Sequence, residues 1–292
     1  MTRRVMILGA GGQLGREMVR LFESDAAWRA VAFDRNAMDI TDPDRVRRVI
    51  GEIRPAAVVN AAAYNHVDKA EEESEEAFRV NAGSVRALAE ACAREDAVLV
   101  HVSTNYVFDG RKNIPYTEDD PPAPLSVYAA SKLAGEAHVR SLCPRHFVIR
   151  TAAVFGPGGR LTRLGNFIET MIRVAAAGKP LRVVADQVVT PTSAGELAGA
   201  IRALLGTDRY GMYHVTGGGE TSWHGYAEAV FSMAGIRADL TAVTTKEFGA
   251  KAARPPYSVL DCGKLVRAGI PAPRPWREAV GEYLESRKAF GA

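Results

Sequence analysis

The stretch VMILGAGGQLG, residues 5–15, opens the chain with an apolar run that ends in a glycine-rich turn. Apolar residues on one side of the segment from Met18 to Phe22 then predict an amphipathic helix. A buried strand, a glycine turn and a helix form a dinucleotide-binding unit, because glycines let backbone amides approach a pyrophosphate at the helix N-terminus. The spacing Gly9, Gly12, Gly15 is GxxGxxG rather than the stricter GxGxxG, so the loop alone is a weak signal.

A second strand is predicted from Trp28 to Asp34, and it is followed by Arg35. An acidic residue about twenty positions past the loop suits the 2′-hydroxyl of a ribose, as in NADH. An adjacent arginine suits the 2′-phosphate of NADPH. Because the chain has both residues, the sequence leaves NADH and NADPH open.

The next helix start places two further residues near the cofactor. Asp42-Pro43 combines an N-cap residue with a proline in the first turn, which is typical of a helix start. Asp39 and Ile40 therefore lie in the loop at the carboxyl edge of a strand, where an adenine would bind.

Further apolar runs alternate with helical segments. Strands are predicted at Ala56–Asn60, Val98–Val102 and Phe147–Arg150, and one long helix over Glu71–Arg94. This alternation implies right-handed βαβ crossovers and a parallel sheet. The run Ala61-Ala62-Ala63-Tyr64 after the third strand would let a cofactor approach closely; tight helix–strand packing is the alternative explanation.

Tyr128 and Lys132 are four residues apart, so on a helix they lie on the same face. A nearby ammonium is expected to lower the pKa of a phenol from about 10, which makes the tyrosine a usable acid or base. Taken alone, the pair also fits an exposed helix whose tyrosine reaches into solvent. Ser103 and Thr104 end the fourth strand at the sheet edge that binds ligands, and this favours a catalytic role.

The regular alternation of apolar strands and helices is interrupted after about residue 155. A late strand is predicted over Gly211–Thr216, and a terminal helix begins at Trp276. We expect an α/β fold, a Rossmann-like doubly wound parallel sheet with a smaller C-terminal substrate-binding lobe. Residues 1–155 would form the NAD(P)-binding domain and carry the catalytic residues. Residues 156–292 would form mainly the lobe, with some segments returning to the first domain.

Composition excludes several classes of protein. The net charge is only +3, and the densest basic run, Arg45–Arg54, interleaves with apolar residues at helical spacing, so no nucleic-acid partner is expected. Cys92, Cys143 and Cys262 are far apart and form no CxxC motif, which favours a reducing compartment. No segment reaches the ~20 apolar residues of a membrane span. We expect a cytoplasmic protein without a membrane partner.

These motifs together resemble the extended short-chain dehydrogenase/reductase superfamily, and within it the dTDP-4-dehydrorhamnose reductase family. The matching stretches keep the order of that family and spread over nearly the whole chain. They are Gly9–Gly15, Val59–Tyr64, Val67–Glu71, Ser103–Gly110, Pro124–Glu136, Asp186–Thr192 and Arg254–Leu265.

The resemblance implies a reaction: a nicotinamide cofactor delivers hydride to the C4 ketone of a nucleotide sugar, most simply dTDP-4-dehydro-L-rhamnose, giving dTDP-L-rhamnose. It implies that Tyr128 donates the proton, Lys132 holds the nicotinamide ribose, and Thr104 binds the substrate oxygen. The cofactor contacts it implies are Gly9, Gly12, Gln13, Leu14, Gly15, Asp34, Arg35, Asp39, Ile40, Ala61, Ala62, Ala63, Tyr64, Tyr128 and Lys132. The substrate contacts are Thr104, Asn105, Ala153, Asn166 and Arg254.

The chain departs from the family pattern at three positions. Asn105 stands where the family usually has Asp, Ala153 where it has Trp, and Asn65 where Thr is common. A smaller side chain at Ala153 would admit a different or bulkier hexose, so these departures concern the sugar more than the reaction.

The resemblance also raises the question of a metal and a second subunit. Some members of the family form magnesium-linked homodimers through carboxylates, and Glu17 and Glu196 are the candidates for Mg²⁺ here, although ordinary surface glutamates are the favoured interpretation. A homodimer is expected on the same ground.

Two other functions fit parts of the sequence. A regulatory subunit resembling the methionine adenosyltransferase β subunit would share the Arg254-Pro255 and Leu260-Asp261-Cys262 stretches, but the complete Tyr, Lys and Thr set favours an enzyme. An epimerase or dehydratase of the same superfamily is the other alternative. Dehydratases normally place Asp-Glu after the catalytic Thr, and Asn105-Tyr106 does not supply those acids.

Overall fold

The computed structural model describes residues 2–161 and 165–289. At its centre is a sheet of six parallel strands, and three shorter pairs of strands lie outside it. The strands are β1 (Arg3–Leu8), β2 (Trp28–Phe33), β3 (Ala57–Asn60), β4 (Val98–Thr104), β5 (His146–Thr151), β6 (Val154–Phe155), β7 (Leu181–Val184), β8 (Val188–Val189), β9 (Thr192–Ser193), β10 (Gly211–His214), β11 (Thr221–Ser222) and β12 (Leu240–Val243).

Helices cover both faces of the central sheet, whose strand order is β10-β5-β4-β3-β1-β2. One of the turns between them is a π-helix, Arg79–Gly83. The α-helices are α1 (Gln13–Glu23), α2 (Pro43–Ile53), α3 (Val67–Ala70), α4 (Ser74–Phe78), α5 (Ser84–Arg94), α6 (Val127–Leu142), α7 (Phe167–Ala176), α8 (Ala194–Leu204), α9 (Trp223–Ala234), α10 (Thr245–Phe248), α11 (Gly263–Arg267) and α12 (Trp276–Ala289).

Two apolar layers hold the sheet between these helices. Met18 of α1 and Ile201 of α8 pack on one face, and Ile50 of α2 and Leu88 of α5 on the other, all fully buried. Strands buried on both faces read as continuous apolar runs, and the four residues Val5–Leu8 are all 0% exposed. The predicted Rossmann-like doubly wound sheet is confirmed.

Most predicted elements form, with one exception. Asp42 caps α2 by accepting from the backbone N–H groups of Asp44 and Arg45, as its sequence indicated. The single long helix predicted over Glu71–Arg94 is wrong, because the chain forms α4, the π-helical turn and α5 instead. The wide turn contains Asn81, whose buried side chain bonds to the backbone of Tyr64 and to other groups inside the fold.

The chain after residue 155 is divided between two places. Strand β10 joins the central sheet beside β5, and α8 packs against α1. Helices α7, α9 and α12 build a second apolar cluster around Tyr226 and Trp276. The boundary near residue 155, and the division into a cofactor domain and a substrate lobe with some returning segments, stay predictions. None of the described helices is long and apolar enough to cross a bilayer.

His214 on β10 should make stability depend on pH. It is buried, its Nδ1 lies 3.0 Å from the carbonyl oxygen of Tyr116, and burial, aided by the charge of Arg150, lowers its pKa to about 3. An unfolded histidine titrates near 6.5, so the unfolded chain takes up this proton first. The contribution is therefore complete above about pH 6.5 and is lost as the pH falls toward 3.

We expect the free energy of unfolding to fall between pH 7 and pH 5, with His214 contributing up to about 1.4 kcal/mol per pH unit. His214→Gln should flatten this dependence, measured by urea unfolding at a series of pH values. The exposed His66 provides the control, since His66→Gln should leave the slope unchanged. An equal slope in wild type and His214→Gln would contradict the prediction.

Candidate active site

The loops that follow β1, β3, β4 and β5 meet at one edge of the sheet, because the carboxyl ends of parallel strands lie together. They bring the glycine loop, the segment after Asn60, Thr104 and Ala153 to that edge. The predicted site residues on these loops, among them Gly9, Thr104 and Ala153, thus lie at one edge of the sheet.

The glycine loop is built for close backbone approach. Gly9 has φ +76°, and a Cβ there would lie 2.7 Å from the backbone nitrogen of Ala62. A Cβ on Gly15 would lie 2.2 Å from the carbonyl oxygen of Gly9. The N–H of Gly12 donates to that same oxygen at 2.9 Å and closes the turn. The result is a concave backbone surface at the N-terminus of α1, a suitable place for a pyrophosphate.

Gln13 and Leu14 begin α1, and their side chains point in different directions. The Gln13 side chain reaches the loop after β5: its Nε2 donates to the carbonyl oxygen of Val154 at 3.4 Å, and its Oε1 accepts from Nδ2 of Asn166 at 3.0 Å. Leu14 is buried in the core. A role in phosphate binding would therefore use the backbone N–H groups of these residues.

At the end of β2, Asp34 and Arg35 are both exposed. Oδ1 of Asp34 accepts the N–H of Ala37 at 2.8 Å, which fixes the direction of the carboxylate. Asp39 accepts from the backbone and hydroxyl of Thr41, and these bonds hold the pKa of Asp39 below its usual range.

The segment Ala61–Tyr64 leads from β3 to α3 and remains partly exposed at this edge. The side chain of Asn81 holds both the N–H and the carbonyl of Tyr64, and Tyr64 donates its phenol hydrogen to Glu73 at 2.7 Å. Ile40, from the loop after β2, is 7% exposed and packs in the core.

Helix α6 presents Tyr128 and Lys132 to the sheet. Ser126 caps this helix through the N–H of Ala129. Tyr128 is 9% exposed and its ring meets Tyr106 edge-on at 6.3 Å between centroids. Nζ of Lys132, which is 2% exposed, donates to the carbonyl oxygen of Val102 at 2.6 Å.

The pKa of Tyr128 shifts in the opposite direction to the one expected from the Tyr-x-x-x-Lys spacing. Burial raises it to about 12, and a hydrogen bond with Thr104 only partly opposes this rise. Burial also lowers the pKa of Lys132 to about 8. The expected lowering of the phenol pKa by Lys132 is not seen in this arrangement, where desolvation of the buried phenol is the dominant cause of the shift. A phenol that keeps its proton at neutral pH is equipped as a proton donor.

Asn105 acts through its neighbours. It is 2% exposed, and its Nδ2 donates to Oγ of Ser258 at 2.8 Å and to the carbonyl oxygen of Ser258 at 3.3 Å. Its Oδ1 accepts from the hydroxyl of Thr104 at 3.3 Å. Any influence of Asn105 on a substrate would therefore pass through Thr104.

The other predicted substrate contacts are held by their backbone conformation or by hydrogen bonds to other segments. Ala153 has φ +43°, a left-handed conformation that is rare for alanine, between β5 and β6. Asn166 caps α7 as well as bonding to Gln13. The guanidinium of Arg254 is paired with Asp68 at 3.0 and 2.7 Å, so it bridges the C-terminal segment and α3.

Sequence reasoning missed the supporting residues. Asn81 and Ser131 join the π-helical turn to α6 at 3.0 Å, and Glu136 pairs with Arg150 beneath Lys132. One signal was available: Glu136 lies eight residues after Tyr128 on the same helical face, and an arginine at the end of a buried strand requires a partner.

The two glutamates considered for magnesium are paired with arginines. Glu17 contacts Arg20 at 2.7 Å, and Glu196 contacts Arg274 at 2.5 Å. Within residues 2–161 and 165–289, no group of three or more His, Cys, Asp or Glu side chains is placed to hold a metal ion. The structure gives the magnesium hypothesis no support.

A doubly wound sheet with a glycine loop and a Tyr-x-x-x-Lys helix at its carboxyl edge defines an oxidoreductase of the short-chain dehydrogenase/reductase class. The family described as "RmlD substrate binding domain" matches residues 3–289. A dTDP-4-dehydrorhamnose reductase of Aggregatibacter actinomycetemcomitans is 39% identical, over 95% of this chain and 97% of that protein. The chain belongs to the dTDP-4-dehydrorhamnose reductase family.

Two further relatives bear on the substrate and the cofactor. A probable dTDP-4,6-dihydroxy-2-methyloxan-3-one 4-ketoreductase of Streptomyces antibioticus is 40% identical, over 96% of this chain and 94% of that protein. The crystal structure of dTDP-4-dehydrorhamnose reductase from Bacillus anthracis, in complex with NADP, is 38% identical with a TM-score of 0.92, covering 98% of this chain and 100% of that one.

The glycine loop gives a paired test of local sterics. Gly15→Ala places a methyl group 2.2 Å from a backbone oxygen that cannot rotate away. The free-energy cost of this clash should exceed the gain of about 1 kcal/mol in helix propensity. We expect a net loss of about 2 kcal/mol in urea unfolding. Gly11→Ala, where the nearest atom is the Asp34 Cβ at 3.6 Å, should change stability by less than about 0.5 kcal/mol. Equal stability of the two variants would refute this account.

Proposed function

We propose that the protein reduces the C4 ketone of dTDP-4-dehydro-L-rhamnose to give dTDP-L-rhamnose, with NADPH or NADH as reductant. The observation that carries the proposal is the placement of buried Tyr128 and Lys132 on one face of α6, with Lys132 bonded to β4 just before Thr104 at the ligand-binding edge of the sheet. The family of the chain and the names of its relatives support the choice of substrate.

The residues present fit a nicotinamide dinucleotide. The glycine loop offers a cradle that a Cβ on Gly9 or Gly15 would fill, at the N-terminus of α1, where backbone amides would hold the pyrophosphate. Asp34 would accept from a ribose hydroxyl, and Lys132 would hold the nicotinamide ribose. When bound, the cofactor supplies the hydride.

Side chains of the protein supply the proton for the reduction. The high pKa of Tyr128 keeps its hydrogen on the phenol until the carbonyl oxygen becomes an alkoxide, a stronger base than phenolate. As hydride adds to C4, the π electrons of the carbonyl move to oxygen, which takes the proton of Tyr128. Thr104, fixed by the N–H of Tyr106 and by Asn105, orients that oxygen. The phenolate then recovers a proton from water.

Turnover with the purified protein tests the proposal. We expect oxidation of NADH or NADPH, followed at 340 nm, when dTDP-4-dehydro-L-rhamnose is added. Tyr128→Phe should lower kcat about 10²–10⁴-fold, because it removes the proton donor while leaving the ring in place. Tyr210→Phe, which alters a tyrosine bonded to Arg145 away from the site, should keep full activity. Absence of cofactor oxidation across a panel of 4-keto sugar nucleotides would refute the proposal.

The end of β2 supports use of both cofactors. The fixed carboxylate of Asp34 suits a ribose hydroxyl, and Arg35 next to it offsets the charge of a 2′-phosphate.

We expect Arg35→Ala to lower kcat/KM with NADPH about tenfold and to change it little with NADH, because one phosphate contact is lost. Asp34→Ala should show the reverse preference. Arg29→Ala removes an exposed arginine from β2, before the loop that carries Arg35, and is the control. If Arg35→Ala lowered both efficiencies equally, Arg35 would have no part in the cofactor preference.

A second candidate is reduction of a different 4-keto sugar nucleotide. Ala153 and Asn105 depart from the family pattern, and the Streptomyces antibioticus relative is named for another 4-keto substrate. Comparing kcat/KM across the panel of sugars decides between them. A homodimer in the cytoplasm and a domain boundary near residue 155 also remain proposals; the first is tested by light scattering after size exclusion.

A further inference from the structure

The face of α6 that carries Tyr128 and Lys132 continues one turn further, to Glu136. Residues four and eight positions apart share one side of a helix, so the three side chains form a row facing the sheet. Glu136 is 1% exposed. A buried carboxylate is costly unless it is paired and hydrogen-bonded, so its partners indicate its purpose.

Glu136 is held by the ends of two neighbouring strands. Arg150 on β5 donates from Nε to Oε1 at 2.9 Å and from Nη2 to Oε2 at 2.6 Å. Ser103 on β4 donates from Oγ to Oε1 at 2.5 Å. The two-pronged contact with Arg150 fixes the plane of the carboxylate. Since Ser103 directly precedes Thr104, the same carboxylate anchors the strand end that carries Thr104.

Glu136 also supplies the charge that opposes the desolvation of Lys132. Burial lowers the pKa of Lys132 to about 8, and the negative charge of Glu136 acts in the other direction. Two further groups of the sheet face this row of side chains: His101 of β4 and Arg150 of β5. Burial and the charge of Lys132 keep the pKa of His101 well below its usual range.

The remaining elements packed against α6 place no buried charge toward Lys132 within the described part of the chain. The turn after β4 brings only the phenol of Tyr106, whose pKa burial raises. The charged side chains of the others are at least partly exposed: Asp68 and Lys69 of α3, Glu71 after it, which accepts from the N–H of Val127, Glu75 and Glu76 of α4, Arg79 of the π-helical turn, and Arg86, Glu90 and Arg94 of α5.

We propose that Glu136, held by Arg150 and Ser103, is a positioning residue that keeps Lys132 in its ammonium form and fixes the strand end bearing Thr104. This inference rests on the proposed reduction. Stability alone does not account for the pair, because apolar side chains of similar volume generally replace a buried ion pair without loss. The negative charge of Glu136 is instead explained by the need to keep Lys132 protonated while it holds the nicotinamide ribose.

The pH profile of Glu136→Gln tests the inference. The amide keeps the size of the side chain and loses its charge, so Lys132 should lose its proton at lower pH. We expect the alkaline limb of kcat/KM to move down by about one pH unit, a loss of about fivefold at pH 8 with little change at pH 6. Glu136→Asp, which retains the charge, should keep the wild-type profile with a lower kcat.

Loss of folding is controlled by a double variant. Glu136→Gln leaves Arg150 buried without its counter-charge, whereas Glu136→Met with Arg150→Met removes both charges and should fold. We expect the double variant to melt cooperatively and still show the shifted pH profile. Recovery of the wild-type rate and profile would mean that the pair only supports the fold, and the inference would be overturned. Glu90→Gln, in the surface pair with Arg86, should match wild type.

Cofactor binding separates this inference from the reaction. NADH affinity, measured by fluorescence across pH without any sugar, should weaken above about pH 7 in Glu136→Gln and above about pH 8 in wild type. If wild type turned over no sugar nucleotide, the proposed reaction would fail while this measurement still tested Glu136. Identical pH dependence of NADH binding in both proteins would overturn the role of Glu136.

Discussion

The anchoring of α6 to the ends of β4 and β5 is the constraint on which the site depends. The ion pair between Glu136 and Arg150, with side chains 1% and 2% exposed, is the polar centre of that anchoring. Around it the approach is close: a Cβ on Gly135 would lie 2.2 Å from the carbonyl oxygen of Asn81. The helix therefore has a fixed depth and rotation, and the directions of Tyr128 and Lys132 follow from them.

That depth sets the proton chemistry. Because the helix packs against the sheet, water is removed from both Tyr128 and Lys132. Burial disfavours the charged form of each side chain, so it raises the pKa of Tyr128 and lowers the pKa of Lys132. The shift suits the reducing direction, in which the tyrosine has to deliver a proton. The expectation from the sequence considered the charge of Lys132 and neglected the loss of solvent, which is the largest cause of the raised pKa of Tyr128.

The sequence was sufficient for features built from neighbouring residues. The strand, glycine turn and helix of residues 5–15 and the N-cap at Asp42 are local, so their patterns predict them. The bond between Asn105 and Ser258 joins positions 153 residues apart, and no period or spacing in one sequence reveals it. The π-helical turn was missed for the same reason, since its Asn81 bonds to Tyr64 and Ser131, residues distant in the chain.

The contact between Asn105 and Ser258 has an evolutionary consequence. Nδ2 of Asn105 gives its hydrogens to the hydroxyl and carbonyl of Ser258, while the N–H of Ser258 donates to Val188. A carboxylate at position 105 has no N–H to give to that carbonyl, so it would leave the carbonyl of Ser258 without this donor. An exchange of C-terminal segments between homologues would carry this dependence with it, and a chimera that ignored it would disturb Thr104 from a remote point in the chain.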